Sequence, residues 1–166
     1  GNEDVGGIVG HNGKDILTSY SQSNVKGNKN VGGIVGKNGR PKIWRSRAAP
    51  PPDFVPPPAD CSIYSCYSVG LIEGKECVGG LVGENGGFVK SCYSAASVTD
   101  TKLPSNDQTN VGGMVGSNNW GEIFNSLWDI ETSGYTTSEG GTGKTTAEMQ
   151  MAGTFLEAGW DFMDET

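Results

Sequence analysis

Apolar residues recur along this chain at fixed spacing, separated by Gly, Asn and Ser. Four copies of Val-Gly-Gly-x-Val-Gly begin at Val5, Val31, Val78 and Val111. A second landmark, Ser-Tyr-Ser or Cys-Tyr-Ser, is centred on Tyr20, Tyr67 and Tyr93. Val5 to Tyr20 and Val78 to Tyr93 are both 15 residues, and Tyr20 to Val31 and Tyr67 to Val78 are both 11, so the unit is 15 + 11 = 26 residues. Self-similarity of this kind marks a solenoid or array. Aligning the units gives four apolar columns. They are Val5/Val31/Val78/Val111, Val9/Val35/Val82/Val115, Ile16/Ile63/Val89/Ile123 and Val25/Ile72/Val98. In the fourth unit Leu127 takes the aromatic position and Thr132 the last apolar one.

Each unit offers three short segments of two-residue periodicity, rich in β-branched and aromatic residues. Bends such as Asn12-Gly13, Asn38-Gly39 and Asn85-Gly86-Gly87 punctuate them. One unit cannot bury its apolar side alone, but stacked copies can. The expected fold is all-β: a parallel β-helix or β-solenoid of roughly 26-residue turns, with rungs about 4.8 Å apart. A three-sided turn of three strands and three bends accounts for the length.

Composition sharpens this. Gly is 27 of 166 residues, more than twice the usual share of roughly 7%. Leu, Ile, Val and Phe together are 32 of 166, near the level at which chains stop folding. Only regular stacking reconciles that poverty with a core. Residues 1–128 carry 11 charges of each sign. The net charge of −7 therefore sits in residues 129–166, with eight acidic residues against Lys144. A basic surface for nucleic acid is absent, and no apolar run could span a membrane.

The sequence Val78-Gly-Gly-Leu-Val-Gly-Glu-Asn-Gly-Gly, followed by Ser91-Cys-Tyr-Ser, resembles the GLUG repeat of large secreted bacterial proteins. The likeness covers residues 1–128 apart from insertions. Residues 126–134, 140–150 and 158–162 are similar to the tail that often follows such repeats. The resemblance implies a secreted, surface-associated β-solenoid and no activity.

Two regions depart from the repeat. Residues 40–60 hold seven of the eight prolines and the basic residues Arg40, Lys42, Arg45 and Arg47. Its two triproline runs are expected to be extended polyproline II and must leave the coil, because Pro cannot donate to a ladder. A tolerated surface loop is the favoured reading; a protruding arm with Trp44 and Phe54 that docks a partner is the other. A smaller insertion, around Leu103–Thr109, reads as a longer bend. In the tail, Thr145 and Glu148 form a capping box. A helix is expected over about 146–158, stopped by Gly159. Met151, Phe155 and Ala158, with Ala152 and Leu156, give it an apolar side that covers the end or flank of the solenoid, with Trp160 and Phe162 as anchors of the same contact.

Chemical signals are thin. Residues 138–145, Ser-Glu-Gly-Gly-Thr-Gly-Lys-Thr, miss a P-loop by one residue, since Ser138 replaces the first Gly. The strand that should feed such a loop is missing, so a Gly-rich bend is the preferred reading. His11, the only histidine, reads as a solvated bend residue. Asp15, Glu84 and Glu122 fall near bends without forming a repeated column. Of Cys61, Cys66, Cys77 and Cys92, the pair Cys66 and Cys92 shares a column and falls within disulfide range; stacked free thiols are the favoured reading and a bridge the alternative, and the spacing is not a zinc pattern. No catalytic, cofactor-binding or metal-binding residue is assigned, and no cofactor is expected. The sequence reads as a non-enzymatic, secreted or cell-surface bacterial segment. It would act as spacer or adhesion surface within a larger protein, with neighbouring repeats, a second copy stacked head-to-tail, or a surface glycan or protein as partners. A carbohydrate-binding or carbohydrate-active β-helix module is the alternative.

Overall fold

The computed structural model describes residues 2–39, 61–102 and 110–162. Both insertions, with their proline-rich and bend expectations, lie outside these. The described residues form mostly strands, with three short helices, in four parallel sheets. Each sheet takes one strand per repeat, stacked in sequence order. The first contains Glu3–Gly6, Lys29–Gly32, Glu76–Gly79 and Val111–Gly112. The second contains Val9–Asn12, Val35–Asn38, Val82–Asn85 and Val115–Asn118. The third is built from Asp15–Leu17, Ser62–Tyr64, Phe88–Lys90 and Glu122–Phe124. In the fourth, Tyr20–Ser21, Tyr67–Gly74, Tyr93–Asp100 and Leu127–Asp129 are joined by Thr142–Lys144 from the tail, and Val25–Lys26 pairs with Tyr67–Gly74. These stacked layers are consistent with a β-helix.

All four apolar columns are in register: Val5 faces Val31, Val35 faces Val82, Ile63 faces Val89, and Ile72 faces Val98. Inner-layer members are fully buried, as at Val31, Val35, Ile63, Val78, Val82 and Val89. They fall into two clusters, one around the second and third sheets and one between the first and fourth.

Each layer has four strands rather than the three expected, because the glycine hexad is a corner. Its variable residue points inward: Ile34, Leu81 and Met114 are fully buried. At each corner one carbonyl accepts two amides from the layer before. Ile34 N and Val35 N both donate to Leu81 O (2.9 and 3.2 Å), and Leu81 N and Val82 N to Met114 O (2.8 and 3.1 Å). The backbone passes so close here that no side chain fits. A Cβ on Gly32 would meet Val35 O at 2.2 Å, and one on Gly33 would meet Gly80 O at 2.3 Å.

Two further columns hold a left-handed backbone. Asp4, Asn30 and Cys77 have φ of 49°, 51° and 51°; Thr18, Ser65, Ser91 and Asn125 have 45–51°. Asn and Asp tolerate this region better than other non-Gly residues. In the first column Asn30 Nδ2 donates to Asp4 Oδ1 (2.7 Å), and Asn110 Nδ2 lies 3.9 Å from Cys77 Sγ. Cys77 offers Asn30 no amide in return, and Asn30 Oδ1 is buried without a partner. Cys77→Asn supplies that donor and a side chain suited to the conformation. It is expected to raise stability by about 1 kcal/mol, read as an upward shift of the urea midpoint at constant slope.

The tail closes the last layer. Trp128 takes the column that Ser68 and Ser94 occupy below it, lies over Gly113, and donates Nε1–H to Tyr135 O (3.2 Å). The chain then enters α1 (Ile130–Ser133), capped by Asp129. Thr132 is therefore not the last apolar position; its hydroxyl donates to Asp129 Oδ2 (2.7 Å), and Tyr135 packs on the second cluster instead. Ser138 Oγ accepts Met114 N and Val115 N (3.3 and 2.9 Å). It thus stands where the corner carbonyl of a further layer would be. Ser138→Gly completes the P-loop pattern on paper but orphans two corner amides. The expected result is a loss of about 2 kcal/mol with no gain of nucleotide binding, checked by urea unfolding and by equilibrium dialysis with ATP.

The expected helix over 146–158 is broken. The capping box at Thr145 and Glu148 is present and opens α2 (Thr146–Met149), but Met151 is extended (φ −101°, ψ 123°) before α3 (Ala152–Glu157). Gly153 weakens a continuous helix, and the break lets Phe155 meet Tyr93. Among the residues of the expected apolar side, Met151, Ala152 and Leu156 are exposed.

Candidate functional site

The fourth sheet carries an aromatic stack on its outer face. Tyr20, Tyr67 and Tyr93 occupy successive layers, so register alone places their rings face to face. Centroids are 5.0 and 4.9 Å apart, with planes within 5° and 3° of parallel. The tail extends this stack: Phe155 meets Tyr93 edge-on at 5.8 Å, Trp160 meets Phe155 at 5.1 Å, and Phe162 lies 6.2 Å from Trp160. Trp160 Nε1–H donates to Asn125 O (2.6 Å), which pins the ring to the sheet. Burial pushes the Tyr93 hydroxyl above its ordinary pKa, aided by the neighbouring Tyr67.

Between this wall and the helices lies a cleft of about 520 Å³, lined by Tyr93, Phe155, Trp160 and Phe162 on one side and Asp129, Thr146 and Gln150 on the other. Asp129 is 3% exposed and spent on structure. It accepts the Glu131 and Thr132 amides (2.9 and 3.1 Å) and the hydroxyls of Thr132 and Thr146. Burial opposes its ionisation, but these hydrogen bonds outweigh burial and hold the carboxyl below its ordinary 3.8. A depressed carboxyl pKa stabilises the fold above the unfolded value, and that stabilisation fades as pH falls through the folded value. Acidification below about pH 4 is therefore expected to loosen the α1–α2 junction before the layers. NMR should show the Glu131 and Thr132 amides losing protection first; simultaneous loss with Val82 would contradict this.

The chemically suggestive residues are held by structural partners. In the near-P-loop, Thr145 N donates to Glu148 Oε2 and Thr146 N to Glu131 Oε2, both at 2.8 Å. Two amides at the end of the loop, where a phosphate would sit, are thus engaged by carboxylates. His11 lies in a second-sheet strand, not a bend, with Nε2 2.5 Å from Gly39 O and Nδ1 3.5 Å from Asp4 Oδ2. Asp15 and Glu122 share a third-sheet column three layers apart, a separation of about 14 Å. Glu84 pairs with Lys37 at 3.0 Å in the second sheet. These three carboxylates do not converge. Among the described residues, no group of three or more His, Cys, Asp and Glu could hold a metal ion.

Cys66 and Cys92 stack as expected and remain thiols. Each Sγ donates to the carbonyl two residues back, Tyr64 O (3.1 Å) and Lys90 O (3.2 Å). Ser19 and Ser126 make the same bond in their layers. The hydrogen bond from Cys92 pulls the Cys66 thiol down to about 7, against its own burial. The same partnership and deeper burial push Cys92 up.

Asn12, Asn38, Asn85 and Asn118, bend residues by sequence, form a side-chain ladder between the layers. Nδ2 of each donates to Oδ1 of the next at 2.8, 2.9 and 3.0 Å, and Asn118 Nδ2 ends on Gly121 O.

No family model and no solved structure matches the chain. It is similar to a protein described as a Gly-rich membrane protein of Evansella cellulosilytica. The two are 34% identical over 80 residues, 46% of this chain and 9% of that relative. The chain thus spans less than a tenth of the relative it matches. Among the described residues, no helix is long and apolar enough to cross a membrane, which says nothing of strands.

Proposed function

We propose that the stacked layers are turns of a parallel β-helix of the GLUG type, and that this segment serves as a non-enzymatic spacer or adhesion surface of a larger bacterial cell-surface protein. The observation that carries the reading is the distribution of polar side chains. The Asn ladder and the thiol stack hold one layer to the next, and the carboxylates of Asp129, Glu131 and Glu148 are spent on closing the last. What the molecule offers outward is a regular surface with an aromatic flank. Similarity to a small part of a far longer Gly-rich membrane protein agrees with a role as one segment of an extended surface protein. The aromatic cleft supports a second reading, a carbohydrate-binding module, since rings with open faces stack on sugars.

Antibody raised against this chain should label intact producing cells, and mild external protease should remove the label. Labelling only after lysis would contradict a surface location. Depolymerisation of neutral or acidic polysaccharides by the purified chain would contradict a non-enzymatic role, whereas retention without cleavage would favour the carbohydrate-binding alternative.

A further inference from the structure

One column, just before the aromatic, carries a small hydrogen-bonding side chain in every layer: Ser19, Cys66, Cys92 and Ser126. Each donates to the carbonyl two residues back, the serines at 2.7 Å and the thiols at 3.1 and 3.2 Å. Cys92 and Ser126 also accept an amide from the layer before: Cys66 N donates to Cys92 Sγ (3.4 Å) and Cys92 N to Ser126 Oγ (3.1 Å). A hydroxyl therefore meets both demands of the fold, and over shorter distances. What sulfur adds in the two middle layers is oxidation chemistry, and there the two thiols are neighbours. Each makes the same bond within its own layer, so one step along the stack carries one onto the other. That step is about 4.8 Å, inside the Cα range of about 4.4–6.8 Å that a disulfide spans.

We propose that Cys66 and Cys92 are a peroxide-responsive pair: Cys66 is the sulfur oxidised, Cys92 resolves it, and the product is a disulfide joining the second layer to the third. The two sulfurs are not equivalent. Cys66 lies between exposed Ser65 and half-buried Tyr67, and the Cys92 hydrogen bond draws its thiol down to about 7. Much of it is thiolate at neutral pH, the form that attacks an oxidant. The bond with Cys66 and burial push the Cys92 thiol up, so it stays protonated until an electrophilic sulfur forms beside it. Both side chains are buried, which selects a small oxidant such as hydrogen peroxide. The Cys66 thiolate attacks one peroxide oxygen, the O–O bond breaks, and the departing hydroxide takes a proton to become water. Cys66 is then a sulfenic acid, which condenses with a neighbouring thiol. Cys92 loses its proton and its sulfur attacks Cys66 Sγ; the S–O bond breaks, and hydroxide leaves with that proton as a second water. Two thiols are oxidised to one disulfide, and one peroxide is reduced to two waters. Closing the bridge turns Cys66 Sγ from Tyr64 O, a bond whose proton oxidation removes in any case. The inference goes beyond the surface role proposed above and does not rest on it.

Peptide mapping of the full chain after treatment with equimolar hydrogen peroxide tests it. The reduced wild type should lose two hydrogen atoms and yield a linked Cys66–Cys92 peptide, and dithiothreitol should reverse this. The rate should rise with pH and reach half its plateau at about 7. Cys66→Ser and Cys92→Ser should both fold, since serine serves this column in the outer layers, and neither should form the bridge. They should differ in one respect. Cys92→Ser leaves a sulfenic acid at Cys66 that a cyclic 1,3-diketone traps, whereas Cys66→Ser slows peroxide consumption by about tenfold or more. In urea, where the stack is lost, pairing should no longer favour Cys66 with Cys92. Native thiols that stay reduced, a bridge between other cysteines, further oxidation of Cys66 without a bridge, or the same pairing preference in urea would overturn the proposal.

Discussion

Gly79→Ala is expected to cost more than about 3 kcal/mol and to lower the urea midpoint accordingly. The added Cβ would sit 2.1 Å from Val82 O and 2.7 Å from both Gly116 N and Met114 O. All three are backbone atoms, two of them in the next layer, so no rotamer change relieves the clash. Relief requires opening the corner at Val82 and separating it from the next layer, which breaks the paired donation from Leu81 N and Val82 N to Met114 O. Gly153→Ala is the matched control. It lies in α3, and a Cβ there meets nothing within 4 Å. It should leave stability unchanged or raise it by up to about 1 kcal/mol. A loss below about 1 kcal/mol for Gly79→Ala would mean that the corner is not as tightly stacked as described.

Asn85→Leu is the second large effect. Leucine is close to asparagine in size and apolar, so a purely hydrophobic view predicts little change or a gain. Asn85 is fully buried, however, and holds four hydrogen bonds. Its Oδ1 accepts Asn38 Nδ2 (2.9 Å) and Gly87 N (3.2 Å), and its Nδ2 donates to Asn118 Oδ1 (3.0 Å) and Gly87 O (3.2 Å). The substitution strands groups in three layers at once. At about 1–3 kcal/mol for each buried orphan, the total loss should exceed about 3 kcal/mol. Asn12→Leu, at the end of the same ladder, removes one inter-layer bond and should cost less. Equal losses at the two positions would show that the ladder does not act between layers.

Much of the layer arrangement was legible because the repeat is an alignment of the chain with itself. Once Val31 is set against Val78 and Tyr67 against Tyr93, stacking follows from the need to bury β-branched columns. The Thr145–Glu148 capping box was equally readable, since its geometry is local. What escaped depended on neighbours that local spacing does not name. Ile34, Leu81 and Met114 sit three residues after the first valine of the hexad, a spacing that breaks two-residue alternation. Only the glycine corner turns them inward. The Asn ladder reads in sequence as ordinary Asn-Gly punctuation, although its signal was present: asparagine stands three residues after the second valine in all four hexads. Ser138 looked like a defect in a phosphate loop and proved to be the hydroxyl that closes the last corner. The continuous helix failed because periodicity takes no account of Phe155 being drawn to Tyr93 across the break at Met151. The aromatic cleft was half legible: register gave the tyrosine stack, and Trp160 and Phe162 read as anchors of the tail, but nothing local said that Phe155 and Trp160 would extend the stack at Tyr93.

The account rests on parallel, in-register layers, and cross-strand backbone NOEs test this most directly. Parallel stacking fixes the difference between partner numbers, and antiparallel pairing fixes their sum. The expected contacts therefore run at constant offset within each step: 26 from the first layer to the second at Asn12–Asn38, 47 across the large insertion at Asn38–Asn85, and 33 at Asn85–Asn118. Val5–Val31, Val31–Val78 and Val78–Val111 should share those offsets in the first sheet. Contacts whose residue numbers instead sum to a constant around each glycine hexad would mean hairpins, and the layered fold would be wrong.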